Sequence, residues 1–251
     1  MADQSGCTRR EFLSAGGKLL AGEALYPSVG PRNVSGSTPP EADRRVPVID
    51  CHSHVGISRA DAAVDLTDPW YTAGGDPELL IRRAREAGID RRVIFPVENT
   101  TFTEANEEVS EICRRYPGQF IGFAKHNPVN EKGRIRSLLF REVRELGLRG
   151  LELHDEPSPE MLDAVRDLGI PVLYHPQRVA LYEDFLPSYP TINFILAHLG
   201  SDQSEDWREH LAGIELAKFY PNVYLDTSSV VLTRYLEKAV LELPAEKIVF
   251  G

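Results

Sequence analysis

The sequence predicts an α/β fold of the (β/α)8, TIM-like barrel kind, truncated after its eighth strand, and three observations carry that prediction. Short apolar, β-branched runs alternate with amphipathic stretches of helical length from residue 46 to the end. Eight such strand signals occur, which suits a closed parallel barrel better than an open doubly wound sheet of about five to seven strands. Histidines and carboxylates gather where several of these runs end, the end of a barrel at which chemistry is normally placed.

Residues 1–45 precede this pattern and read as signal plus linker, and residues 46–251 as the barrel. Thr8-Arg9-Arg10-Glu11-Phe12-Leu13 resembles a twin-arginine export signal, with Ser14-Ala15-Gly16-Gly17 opening an apolar part that Lys18 and Glu23 interrupt. The competing reading is a disordered arm, rich in Gly, Pro and Ser, that happens to carry an arginine pair. Export implies a periplasmic or other extracytoplasmic location; the arm implies a cytoplasmic one.

The first strand signal, residues 46–51, runs into His52-Ser53-His54. An irregular stretch over 55–76, with Trp70 and Tyr71, is either a lid over the catalytic face or a surface excursion. A helix at 77–87 leads to a strand at 92–96, a helix at 103–115 to a strand at 120–124, and a helix at 132–146 to a strand at 148–153. Ser158 can cap a helix at 159–168 with Pro159 in its first position, and Gly169 can close it in a left-handed conformation. Glu86-Ala87-Gly88-Ile89 and Glu145-Leu146-Gly147-Leu148 repeat that exit from helix to apolar run. Strands at 171–174, 193–197, 222–226 and 247–250 then alternate with helices at 179–186, 207–219 and 232–243.

Composition excludes several classes. Hydrophobic residues at 42% and charged residues at 26% describe a globular chain of 251 residues, long enough to bury a site. A net charge of −10 argues against a nucleic-acid binder, which needs a basic surface. Cys7, Cys51 and Cys113 are too scattered for a disulfide framework or a cysteine zinc site, and Cys51, alternating away from His52 and His54, should pack against a helix. No run is apolar enough to span a bilayer. No dinucleotide-binding or phosphate-loop glycine pattern and no Gly-x-Ser-x-Gly elbow occurs. The partners expected are a small-molecule substrate and, among macromolecules, at most copies of the chain itself.

His52 and His54 form the strongest constellation. Side chains two apart on a strand share a face, so the pair can chelate one ion. Asp50, one step deeper, could orient an imidazole. His175 follows Pro171-Val172-Leu173-Tyr174, and His198 follows Asn193-Phe194-Ile195-Leu196-Ala197. Two nitrogens from strand 1 and one from strand 5 would leave an open position for water, as a catalytic zinc requires. His198 is then a ligand of a second ion or a general acid/base. Glu152, sharing a face with His154, is either a metal bridge or one arm of an interior salt bridge. Asp226 could bind a ligand or cap the turn at Ser228. His126 is a weaker pocket candidate, and His210, within a helix, reads as surface.

These segments together resemble the amidohydrolase superfamily, in its amidohydrolase-related group of metal-dependent hydrolases and decarboxylases. The matching runs are Val48-Ile49-Asp50-Cys51-His52-Ser53-His54, Gly150-Leu151-Glu152-Leu153-His154, Pro171-Val172-Leu173-Tyr174-His175, Asn193-Phe194-Ile195-Leu196-Ala197-His198-Leu199-Gly200, Asn222-Val223-Tyr224-Leu225-Asp226-Thr227-Ser228 and Lys247-Ile248-Val249-Phe250-Gly251. The resemblance implies a distorted β/α barrel around one or two divalent ions, usually Zn2+. It implies His52, His54 and His175 as ligands, with Glu152 as a bridging candidate. It also implies that His198 polarises substrate or the attacking water. A metal-activated water then attacks a carbonyl carbon, and the ion stabilises the oxyanion.

Two departures qualify this. Many members carry Lys where this chain has Glu152, and some use a Glu there to bridge two ions. The family's eighth strand continues from a Phe-Gly into Ser-Asp-x-Pro, whose Asp binds the ion and takes a proton; this sequence ends at Gly251. A fragment without that Asp and without the helix covering strand 8 is expected to leave an apolar patch exposed and to turn over little or nothing. The function expected is a metal-dependent hydrolase of a small amide, ester or lactone. The alternatives are a non-oxidative decarboxylase of an aromatic or unsaturated acid, and an inactive metal-binding protein.

Overall fold

In the computed structural model, residues 46–56, 75–97, 99, 101–176, 178–179, 184–201 and 206–251 are described. The twin-arginine-like segment, the part of the 55–76 stretch holding Trp70 and Tyr71, and residues 180–183 of the helix expected at 179–186 lie outside them. The unit Pro47–Gly251 carries the fold.

The elements in order are β1 (Ile49–Val55), α1 (Pro77–Ala87), β2 (Arg91–Pro96), α2 (Thr103–Arg115), β3 (Phe120–Gly122), β4 (Ala124–Lys125), α3 (Ile135–Arg144), β5 (Leu151–Leu153), α4 (Pro159–Leu168), β6 (Val172–Tyr174), β7 (Phe194–Leu196), α5 (Trp207–Phe219), β8 (Val223–Asp226), α6 (Thr233–Glu242) and β9 (Ile248–Val249). Four helices, α1, α2, α4 and α5, have the bounds expected from sequence, and α1 and α4 have both ends written locally. Ser158 Oγ accepts the Met161 N–H at 3.3 Å and Gly169 closes α4 at φ 66°. Asp76 and Gly88 do the same for α1. The third helix starts later than expected. Gly133 is left-handed at φ 76°, and Glu160 of α4 accepts the Gly133 and Arg136 N–H groups at 2.9 and 3.3 Å. The described remainder of the stretch expected as a helix at 179–186 leads into a 3-10 turn at Leu186–Ser188.

All strand pairs are parallel, in the orders β1-β2-β3 and β4-β5-β6-β7-β8-β9. The expected third strand is interrupted at Phe123, whose N–H reaches the Ile94 carbonyl at 2.9 Å, while the next N–H, of Ala124, reaches Gly150 at 2.9 Å. At the other margin the Cys51 N–H donates to the Phe250 carbonyl at 2.8 Å. Parallel strands followed by helices are the α/β architecture the sequence predicts.

Strand side chains alternate between two apolar layers. Ile94, Leu151, Leu153, Val172, Tyr174, Phe194, Leu196, Val223 and Leu225 pack toward the helices with Ile135, Leu139, Met161 and Ile214. Cys51, Val93, Phe95, Phe123 and Leu173 form a smaller, strand-only cluster on the inner side. Each fully buried side chain of this kind contributes roughly 1.5–3 kcal/mol over its exposed state. Among the described residues no helix is long and apolar enough to cross a membrane.

Candidate metal centre

The first strand reaches the site through an irregularity. Asp50 pairs with Arg92, but the next pair is Ser53 with Ile94, so β1 holds one residue more than β2 between them. Strict alternation would set His52 against Ile94 and send both imidazoles toward the helices. The extra residue reverses this. His52 and His54 lie on the inner side with ring centroids 5.1 and 4.6 Å from Phe95. It also corrects the expectation for Cys51, which joins the inner cluster instead of packing on a helix. Burial pushes its thiol far above the usual range. Asp50 is corrected too. It accepts the His52 backbone N–H at 3.0 Å and the Ser53 hydroxyl at 3.3 Å and pairs with Arg92 at 3.3 Å, anchoring the irregular turn instead of orienting a ring.

Three imidazoles converge with Nδ1 already engaged. His52 Nδ1 lies 2.6 Å from Asp226 Oδ2, His175 Nδ1 lies 3.0 Å from Glu152 Oε1, and His198 Nδ1 lies 2.9 Å from the Ser228 carbonyl. Carboxylates and carbonyls accept, so His52 and His198 carry the proton on Nδ1 and keep the Nε2 lone pair, while His175 Nδ1 lies against a carboxylate oxygen without a formed hydrogen bond. His52 Nε2 and His175 Nε2 are 3.3 Å apart. One ligand atom from each of His52, His175 and His198 falls within 4.8 Å of the others. The Ser228 hydroxyl sits at 3.0 Å from both His52 Nδ1 and His198 Nδ1 and donates to Asp226 at 2.7 Å. Burial would raise the Asp226 pKa, but its hydrogen bond with His52 lowers it. The Asp226 carboxylate also accepts the Ser228 N–H at 2.6 Å, so it binds a histidine and caps the turn at once.

His198 sits in the 3-10 turn Ala197–Gly200, where it and Leu199 are left-handed at φ 53° and 55°. Non-glycine residues adopt this conformation at a cost, and it clusters at functional sites.

Glu152 is fully buried at the end of β5. Its Oε1 lies 2.7 Å from His154 Nε2, and its Oε2 lies 3.2 Å from Lys125 Nζ. Burial alone would raise its pKa; the Lys125 ammonium and then His154 hold it well below the usual range. His154 stacks on His175 with centroids 4.0 Å apart and borders a cavity of about 700 Å³ lined also by Lys132, Asp155, Glu156 and Tyr174. At the end of β9, a Cβ on Gly251 would fall 2.4 Å from Asp226 Oδ1 and 3.1 Å from His52 Cβ, so that strand also arrives at the cluster.

The donor set fits a divalent ion. Two ligands about 2.0–2.1 Å from a tetrahedral ion stand about 3.3–3.4 Å apart, the spacing of the two Nε2 atoms. A direct hydrogen bond between them would need one ring to take a second proton, and burial pushes His175 down to about 3. Burial likewise holds His54 well below its ordinary pKa, and its buried Nδ1 has no hydrogen-bond partner among the described residues.

Sequence reasoning missed Lys125, whose pairing with Glu152 crosses two strands, and the tie between Asp226 and His52. It misplaced two histidines. His126 is buried away from the cluster, with Nδ1 2.9 Å from Glu131 and Nε2 2.7 Å from Glu142. His210, expected on the surface, is 1% exposed, because α5 turns that side toward the Ala197–Gly200 turn and Tyr235.

A family model described as amidohydrolase matches residues 49–251. Among solved structures, 2,6-dihydroxybenzoate decarboxylase from Rhizobium is 17% identical with a TM-score of 0.61, covering 82% of this chain and 87% of that one. An amidohydrolase from Burkholderia multivorans with bound zinc is 15% identical with a TM-score of 0.64, covering 82% and 84%. Amidohydrolase 2 from Bifidobacterium longum subsp. infantis is 17% identical with a TM-score of 0.55, covering 81% and 82%. Such likenesses describe the fold. None of the curated proteins compared with the chain matches it.

Proposed function

Since the chain belongs to the amidohydrolase family, we propose that it is a metal-dependent hydrolase of a small carbonyl compound, an amide, ester or lactone. The observation that carries this reading is the convergence of the His52, His175 and His198 imidazoles, with the Nδ1 of His52 and of His198 hydrogen-bonded from behind. His52 and His175, whose Nε2 atoms stand 3.3 Å apart, would hold the ion, with His54 as the third ligand although its ring belongs to neither group of converging ligand atoms among the described residues, and a nitrogen-rich set suits zinc. A bound divalent ion polarises a carbonyl oxygen and lowers the pKa of water. His198, with its Nδ1–H on the Ser228 carbonyl, offers Nε2 to accept the proton of the attacking water. Asp226 and Ser228 keep His52 and His198 in these tautomers.

The test is a screen of zinc-loaded protein against lactones, esters, amides and aromatic carboxylates, with His198→Asn alongside. Hydrolysis that falls by about 10²–10⁴-fold in the variant at unchanged zinc content supports the reading. Release of CO2 from an aromatic acid, with no hydrolysis, would make the protein a decarboxylase, the reaction named for the Rhizobium neighbour. Bound zinc without turnover on any class would leave an inactive metal-binding protein.

A further inference from the structure

Lys125 and Glu152 lie directly behind the converging imidazoles, and the proposed function uses neither of them as a base or a nucleophile. We propose that Lys125 fills, with its ammonium, the place of a second cation, and that Glu152 positions His175 instead of bridging two ions. This rests on the metal-binding reading above and fixes how many ions that site takes.

The geometry assigns each oxygen of Glu152 a task. A bridging carboxylate turns its oxygens to two ions. Here Oε2 faces Lys125 Nζ at 3.2 Å, with both side chains buried, and Oε1 lies 3.0 Å from His175 Nδ1 and 2.7 Å from His154 Nε2. A neutral imidazole has one lone pair. His175 directs that lone pair, on Nε2, toward His52 Nε2 at 3.3 Å. A second ion among Glu152, His154 and His175, whose ligand atoms lie within 4.8 Å of one another, would have to share the His175 ring with the first. It would also have to sit beside an ammonium in a buried place where like charges are poorly screened. With Lys125 present, the carboxylate's charge is already matched. With Lys125 removed, the same three groups become an unoccupied acidic and imidazole-lined position.

The experiment is a metal titration of the full chain, stripped with a chelator and reloaded with Zn2+ or Co2+, with ions counted per chain. Affinity is read by competition with a chromophoric chelator, and folding by circular dichroism. The wild-type chain should hold one ion. Glu152→Gln should still hold one, with affinity weaker by about 10–100-fold, the usual effect of losing a group that orients a ligand histidine. Lys125→Met should gain a second, weaker ion, and Lys125→Arg should return to one. Two ions in the wild-type chain overturn the proposal while leaving the metal-binding reading intact. A folded Glu152→Gln with unchanged affinity, or a folded Lys125→Met that still holds one ion, overturns it as well. No ion in the wild-type chain overturns the metal-binding reading and this one with it. If Lys125→Met does not fold, the wild-type count and the Glu152→Gln affinity decide.

Discussion

A histidine's worth in this molecule is set by what holds its far nitrogen. His52, His175 and His198 are backed by Asp226, Glu152 and the Ser228 carbonyl and are left with one lone pair each. His126 is gripped on both nitrogens by Glu131 and Glu142 and is left with none. Burial opposes its charge, but those two hydrogen bonds prevail and push its pKa up to about 9. A group whose folded pKa is raised contributes stability that is complete below its unfolded value, about 6.5, and lost as pH rises through the folded one. The urea midpoint of the wild-type protein should therefore fall from about pH 6.5 to about pH 9. His126→Gln should be less stable at pH 6.5, by on the order of 1–3 kcal/mol, and nearly flat across that window. Equal slopes for the two proteins would refute the assignment. The ligand-type histidines were legible because each ends an apolar run. The partners were not, because Lys125 meets Glu152, and Asp226 meets His52, only across strands whose spacing a single sequence does not record.

At the level of elements, the bounds of α1, α2, α4 and α5 could be read directly. Asp76, Ser158 and the glycines at 88 and 169 state four of those ends chemically. Strand lengths could not be read, since a parallel strand is as long as its neighbour allows. The contact between α5 and the Ala197–Gly200 turn was equally hidden. Gly213 lies where a Cβ would fall 2.6 Å from the Leu199 carbonyl oxygen, so the helix and the left-handed turn bearing His198 meet backbone to backbone. Alanine in a helix normally gains about 0.5–1 kcal/mol over glycine. Here Gly213→Ala should instead cost about 1–3 kcal/mol and lower turnover, with zinc content retained. Thermal unfolding and metal analysis of the variant check this; a stabilised and fully active variant would contradict the packing described.

The whole molecule draws its candidate ligands from separate strands, with His52 and His54 on β1, His175 after β6 and His198 after β7. The unfolded chain holds no such arrangement, so an ion that binds it favours the folded state by mass action. At a free zinc concentration about 100 times its dissociation constant the gain is about 2.7 kcal/mol. The melting temperature should rise with zinc and return with a chelator. His175→Ala, folded but short of a ligand, should show no such rise, and a wild-type melting temperature indifferent to zinc would count against a preformed centre. The α/β class followed from the sequence because alternation of strand and helix is a property of the whole chain. The inner arrangement did not, because it turns on a single position. The surplus residue between Asp50 and Ser53 makes the site a matter of counting as well as of chemistry. The inward-facing residue below it, Cys51, is odd-numbered, and those above it, His52 and His54, are even-numbered. A relative that kept both histidines but lost that one residue would read as the same motif on paper, and would show its imidazoles to the wrong side of the wall.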